Sequence, residues 1–261
     1  MRRLLVTLGV FGVVSMALQP AAMAQDKSFY LPTAEVLVEV RPDGSLRVTE
    51  QIQFSFSGDF SGAYRDIPVR DGEQITDITV TEDDREYSPG ASAELGSSGS
   101  PDTFGVAYLD DVVRVVWHYS AANESRTFEI GYTFRGLAVA YDDVVDVNLQ
   151  VWGDEWKVEL SSLRATMRVP GAAPGEIRVW GHPATVEGIT VLNPDGTGAE
   201  LWANAIRPGY FAEMRMVFPR SLLSDTSGAR RSSKATVLTR SWLRNAHSNA
   251  THSETGSGSS G

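Results

Sequence analysis

The chain has 261 residues, no cysteine and a formal net charge of −10. The lack of cysteine excludes a disulfide scaffold, thiolate catalysis and thiolate metal sites. Residues 25–219 carry 15 basic and 31 acidic side chains, a net −16 that repels nucleic acid and anionic lipid; solubility is its simplest role.

In chain order, the first segment has three parts. Arg2 and Arg3 form a charged start, Leu4 to Leu18 an apolar stretch, and Ala22-Met23-Ala24 a small-x-small cleavage site. These make residues 1–24 a secretory signal peptide, with an uncleaved anchor as the alternative, so the chain is expected to be exported. No second apolar run approaches the roughly twenty residues a spanning helix needs.

Period-two alternation then dominates. Glu35 to Arg41 and Ser45 to Phe56, joined by Pro42-Asp43-Gly44, predict a hairpin. Ile75 to Val80 is a shorter strand, and the Ser/Gly/Ala/Pro-rich residues 88–103 predict a mobile loop. Val112 to Tyr119, Thr127 to Arg135, Val144 to Trp152 and Leu163 to Val169 follow as strands. Ile177 to Trp180, Val186 to Leu192, Ala199 to Ala203 and Tyr210 to Phe218 complete the series. No helical stripe precedes residue 220. The expected fold is all-β, an antiparallel β-sandwich of Ig-like or Greek-key type. It is one large sandwich over residues 25–220 or two packed ones with a seam near 152–160. Residues 221–261, basic and Ser/Gly-rich, predict a disordered tail, with a short helical turn available to Ala235 to Leu243.

Few residues suggest chemistry. Glu50 shares strand parity with Val48 and Ile52, which would bury it. A buried carboxylate must be paired, protonated or turned out by a bulge, and Arg65 is the natural partner. Arg65 and Asp66 are adjacent in Tyr64-Arg65-Asp66-Ile67-Pro68, yet neighbours on extended backbone point apart, so a structural role outweighs a catalytic pair. Asp142, Asp143, Asp146 and Asp154 are calcium-type oxygen ligands whose spacing fits no EF-hand loop; a solvated acidic loop is the competing reading. Trp152 and Trp156 either pack in the core or, exposed, stack on a sugar or peptide. No local motif supports a hydrolase triad, and no cofactor is implied.

Several of these pieces occur in one order. The Asp43-to-Glu50 hairpin precedes Gly62-Ala63-Tyr64-Arg65-Asp66-Ile67-Pro68, the strand Thr127 to Phe134, and Asp146-Val147-Asn148 leading to Trp152-Gly153-Asp154-Glu155-Trp156. Arg168-Val169-Pro170-Gly171 and Val217-Phe218-Pro219 follow. This order resembles the N-terminal domain of the bacterial membrane proteins grouped as domain of unknown function 2207, over about residues 28–220. The resemblance implies a β-rich domain outside the bacterial membrane, joined in relatives to membrane spans, with no activity to carry over. The expected function is a non-enzymatic module that binds or senses a protein or other cell-envelope partner. The alternatives are a carbohydrate- or cell-wall-active enzyme using a carboxylate pair, and a calcium-stabilised structural module.

Overall fold

A computed structural model describes residues 27–232; the signal-peptide assignment and the Ala235-to-Leu243 turn lie outside them. The strands are β1 (Ser28–Val40), β2 (Leu46–Ser57), β3 (Asp59–Pro68), β4 (Gln74–Glu82), β5 (Arg85–Glu86) and β6 (Ser88–Pro89). Next come β7 (Thr103–Tyr108), β8 (Val112–Ala122), β9 (Ser125–Arg135), β10 (Val139–Ala140), β11 (Val144–Trp152) and β12 (Leu160–Arg168). Last are β13 (Arg178–His182), β14 (Gly188–Leu192), β15 (Gly198–Ile206), β16 (Ala212–Pro219) and β17 (Arg230–Arg231).

They form three open sheets in a sandwich-like all-β fold. The largest runs β14-β15-β12-β1-β2-β9-β4-β5; the others run β13-β16-β11-β10-β17 and β3-β8-β7-β6. Most pairings are antiparallel, but β1 lies parallel to β12, as do β10 to β17 and β6 to β7, so the sheets are mixed rather than purely antiparallel. The β1–β12 pairing joins residues about 130 apart, a long-range choice that local periodicity does not encode.

Alternation decides which face each strand buries. On β2, Leu46, Val48, Glu50, Ile52, Phe54 and Phe56 all point inward. On β9 the same holds for Phe128, Ile130, Tyr132 and Phe134, and on β16 for Ala212, Met214, Met216 and Phe218. Apart from Glu50, these residues belong to one connected apolar core shared by the three sheets. Residues 152–160 carry the chain from the sheet of β11 to that of β12 across this same core.

Two segments differ from expectation. Residues 88–103 lie against the outer face of β7 and β8: a side chain at Gly99 would strike the His118 ring, and one at Gly105 would strike the Ala91 carbonyl. Residues 221–232, expected in the tail, return to the β1–β2 turn. Ser224 N donates to Pro42 O at 2.8 Å, Gly228 N to Asp43 O at 2.8 Å, and Arg230 N to Ala138 O at 2.8 Å. Backbone groups make these contacts, so a polar sequence suffices for them. The packed chain therefore extends to Ser232.

Candidate functional site

β3 is the edge strand of its sheet, and its alternation carries an unusual inward residue. Ile67 is buried as a hydrophobe should be; two residues earlier, Arg65 takes the same inward parity and is only 3% exposed. The opposing sheet supplies its counter-charge. Glu50, 4% exposed, stands in unbroken register between Val36 and Ile130, so no bulge turns it to solvent. Arg65 Nε donates to Glu50 Oε2 at 2.8 Å and Nη2 to Oε1 at 3.3 Å, while Tyr132 OH donates to Oε1 at 2.7 Å. Arg65 Nη1 donates to Glu155 Oε1 and to the Asp66 carbonyl. Burial alone would lower the Arg65 pKa, but Glu50 and Glu155 outweigh it and hold the guanidinium above its usual range. Burial and then the Glu50 charge push the Tyr132 phenol well up. The cluster is thus a fixed cation between two carboxylates, with every side-chain nitrogen of Arg65 engaged.

Asp66 points to the other side of β3, as strand geometry requires. Both its oxygens accept from Arg114, at 2.7 Å each, and the Arg114 guanidinium sits 5.7 Å from the ring centre of Tyr64. Arg65 and Asp66 are therefore separate ion pairs on opposite faces, and Tyr64 is 43% exposed.

The Trp152-to-Trp156 segment closes over Arg65. Trp152 is buried, which removes it from the exposed stacking role the sequence left open. Its ring stacks on Trp156 at 4.6 Å and 6°, and Trp156 lies 5.9 Å from the Arg65 guanidinium. Gly153 leaves room for the Glu155 carboxylate, which folds back over it where a β-carbon would stand. The spacing Trp-Gly-Asp-Glu-Trp thus delivers one acid to Arg65 between two stacked rings.

Of the oxygen-ligand residues, Asp146 is held by Arg215 at 2.9 and 2.5 Å. Asp142 and Asp143 are exposed in the turn before β11, and Asp154 is exposed beyond its other end. Nine strand residues span about 30 Å, so these acids do not share one ion. Among the described residues no group of three or more His, Cys, Asp or Glu side chains gathers to hold a metal.

Two cavities flank Arg65. One, of about 250 Å³, lies between β3 and β11 over Tyr132 and Phe134, and is edged by the polar Arg70, Glu73, Asn148, Gln150 and Glu213. The other, of about 160 Å³, opens beside Tyr64 and is walled by Phe29, Phe54, Phe56, Phe60, Tyr119 and Trp156. Its rings hold one another: Phe29 meets Phe60 edge-on at 6.0 Å, Phe56 meets Phe60 at 4.7 Å, and Phe54 meets Trp156 at 6.4 Å. Phe54 and Phe56 are legible from β2 parity; Phe29, Phe60 and Tyr119 reach the cavity only through the sheet pairings.

A second buried carboxylate also went unseen in the sequence. Glu82, 2% exposed, accepts from Arg126 Nη2 at 2.6 Å, Tyr87 OH at 2.8 Å and Arg85 Nη2 at 3.0 Å. Burial works to raise its pKa, but the hydrogen bonds from Arg126 and Tyr87 outweigh that and hold it below the usual range. Glu82 has the same inward parity as Val80, a signal equal in kind to that of Glu50.

The family model for the N-terminal domain of predicted membrane proteins (DUF2207) matches residues 30–218. No curated protein matches the sequence. Among solved structures, a candidate nutrient-binding protein from Legionella pneumophila superposes with a TM-score of 0.45 at 12% identity, covering 72% of this chain and 66% of that one. A candidate protease from Parabacteroides distasonis gives 0.40 at 10% identity, with 73% and 40% covered. An M1 zinc metallopeptidase from Deinococcus radiodurans gives 0.41 at 8%, with 73% and 43% covered. This chain thus spans less than two thirds of each, and likenesses this weak assign no activity.

Proposed function

From a chain that belongs to the DUF2207 family of predicted membrane proteins, we propose an extracytoplasmic module that binds a partner in the bacterial cell envelope. No helix among the described residues is long and apolar enough to cross a membrane, which suits a domain held beside one. The observation that carries the reading is the contrast around Arg65. Arg65 and Glu50 commit all their side-chain polar atoms to one another, Tyr132, Glu155 and the Asp66 carbonyl, while the aromatic cavity next to them stays open. Polar groups saturated in this way fix shape, and an open apolar recess with a few polar groups at its edge is how binding sites are built.

The carboxylate-pair enzyme has one observation in its favour, since Glu50 and Glu155 flank the same site beside Trp156. Both oxygens of Glu50 already accept hydrogen bonds in the core, and a general acid or nucleophile needs a free one at the substrate. The binding reading is therefore preferred. Its test is co-purification of envelope components with the exported chain, native and with the cavity filled by Ala63→Phe. Retention of one defined component by the native chain and its loss on filling supports the module. Equal retention by both, or none by either, counts against it.

A further inference from the structure

We infer that the aromatic cavity accepts one neutral, ring-sized apolar group; this rests on the binding-module reading and names the chemistry its site would recognise. Size comes first. At about 160 Å³ the cavity matches the roughly 150 Å³ apolar cavities that admit a single benzene. Its walls are six aromatic rings from β1, β2, β3, β8 and the Trp152–Trp156 turn, set at edge and tilted angles that suit another ring.

Charge comes second, and it favours a neutral group. An anion entering the cavity meets Arg65, whose nitrogens are all committed to Glu50, Glu155 and the Asp66 carbonyl. A cation meets Glu155, whose Oε1 is on Arg65 and whose partnerless Oε2 is buried out of its reach, and Asp66, held at both oxygens by Arg114. Lys157 lines the cavity but is exposed, so its charge stays in water. A charged ligand would lose hydration there, an anion without gaining a free donor and a cation with only the ring faces to offset the loss. The unpartnered polar atoms of the wall residues, Trp156 Nε1 and Glu155 Oε2, are both buried, so the rings make up most of what a ligand would touch.

The shared chemistry has two sources, a free aromatic molecule or an aromatic side chain on a partner, and the probes separate them. Toluene and N-acetyl-phenylalaninamide are titrated calorimetrically into the full chain, native and carrying Ala63→Phe. Ala63→Leu, a smaller plug, is run in parallel in case the larger one misfolds. Toluene binding to the native chain, weakened at least tenfold in a folded plugged variant, is the expected result. Added binding of the amide points to a side chain, and its absence to a free molecule. Benzoate and benzylammonium should bind at least tenfold more weakly than toluene. The inference is overturned if toluene does not bind, if plugging leaves its affinity unchanged, or if either ion binds as well as toluene does. Should the probes fail while co-purification remains plug-sensitive, the ring-sized ligand falls and the module stands; the opposite pattern removes the module and leaves the ring site.

Discussion

Removing Arg65 should be among the most damaging single changes in this chain. Arg65→Met keeps the length and apolar stem of the side chain but strips Glu50 of two of its three hydrogen bonds, leaving only Tyr132. Glu50 would then be a carboxylate 4% exposed with no counter-ion. Breaking a buried pair in this way costs about 3–5 kcal/mol. For a domain of this size that is a fall of roughly 6–20 °C in Tm. Glu155 adds little to the loss, because it is part-exposed and can turn to solvent. Glu50→Leu should cost somewhat less, because Arg65 keeps Glu155 and the Asp66 carbonyl while its Nε and Nη2 and the Tyr132 hydroxyl lose their acceptor. The double variant Glu50→Leu/Arg65→Met buries no charge, so it should be less destabilised than the two single losses summed, the remainder being about 1–3 kcal/mol for the buried Tyr132 hydroxyl left without Glu50. Urea unfolding of the four proteins measures the cycle. Single losses under about 1 kcal/mol, or losses that simply add in the double variant, would refute the coupled buried pair.

Other expectations follow from neighbouring features. Gly153→Ala pushes the Glu155 carboxylate off its seat; because that part-exposed side chain can turn to solvent, a loss of no more than about 1 kcal/mol in urea unfolding is expected, with a changed near-ultraviolet dichroism from the stacked Trp152 and Trp156. Gly105→Ala meets the Ala91 carbonyl, which cannot yield as a side chain could, so limited proteolysis should cut residues 88–102 faster than in the native chain. Glu82, with its pKa depressed in the fold, contributes stability that is full above its unfolded value of about 4.3 and lost as pH falls through the lower folded value. Stability of Glu82→Gln, followed by urea unfolding from pH 5 to 2, should therefore fall less steeply than that of the native chain. Ending the chain at Pro219 rather than Ser232 should lower Tm, since the β1–β2 turn loses its bonds from Ser224 and Gly228.

Much of this arrangement could be read from the residues, for identifiable reasons. β2, β9, β12 and β16 alternate cleanly, so their inward faces, including the odd position of Glu50, follow from parity. β3 is harder to see because its inward positions hold Ala63 and Arg65 before Ile67, and a buried cation breaks the apolar pattern. β7 follows a Ser/Gly-rich segment and has Gly105 at its centre, where the Ala91 carbonyl leaves no room for a side chain. The aromatic cavity draws on residues from 29 to 156, brought together by the pairings of β1 with β2 and β3 with β8, the packing of those two sheets on one core, and the turn that carries Trp156. Hydrophobic periodicity reports which way a residue points; it does not report what it will meet there.

The proposed meeting place of this module and its partner is the cavity beside Tyr64, with Arg65 fixing its wall. Photo-crosslinking in living cells tests it most directly, with p-benzoylphenylalanine placed at Tyr64, at the cavity mouth, and in a second strain at the exposed Trp202 on β15. A discrete crosslinked species from position 64, absent from position 202 and abolished by Ala63→Phe in a folded protein, is the predicted result. No crosslink at 64, or one that persists with the cavity filled, would contradict the account.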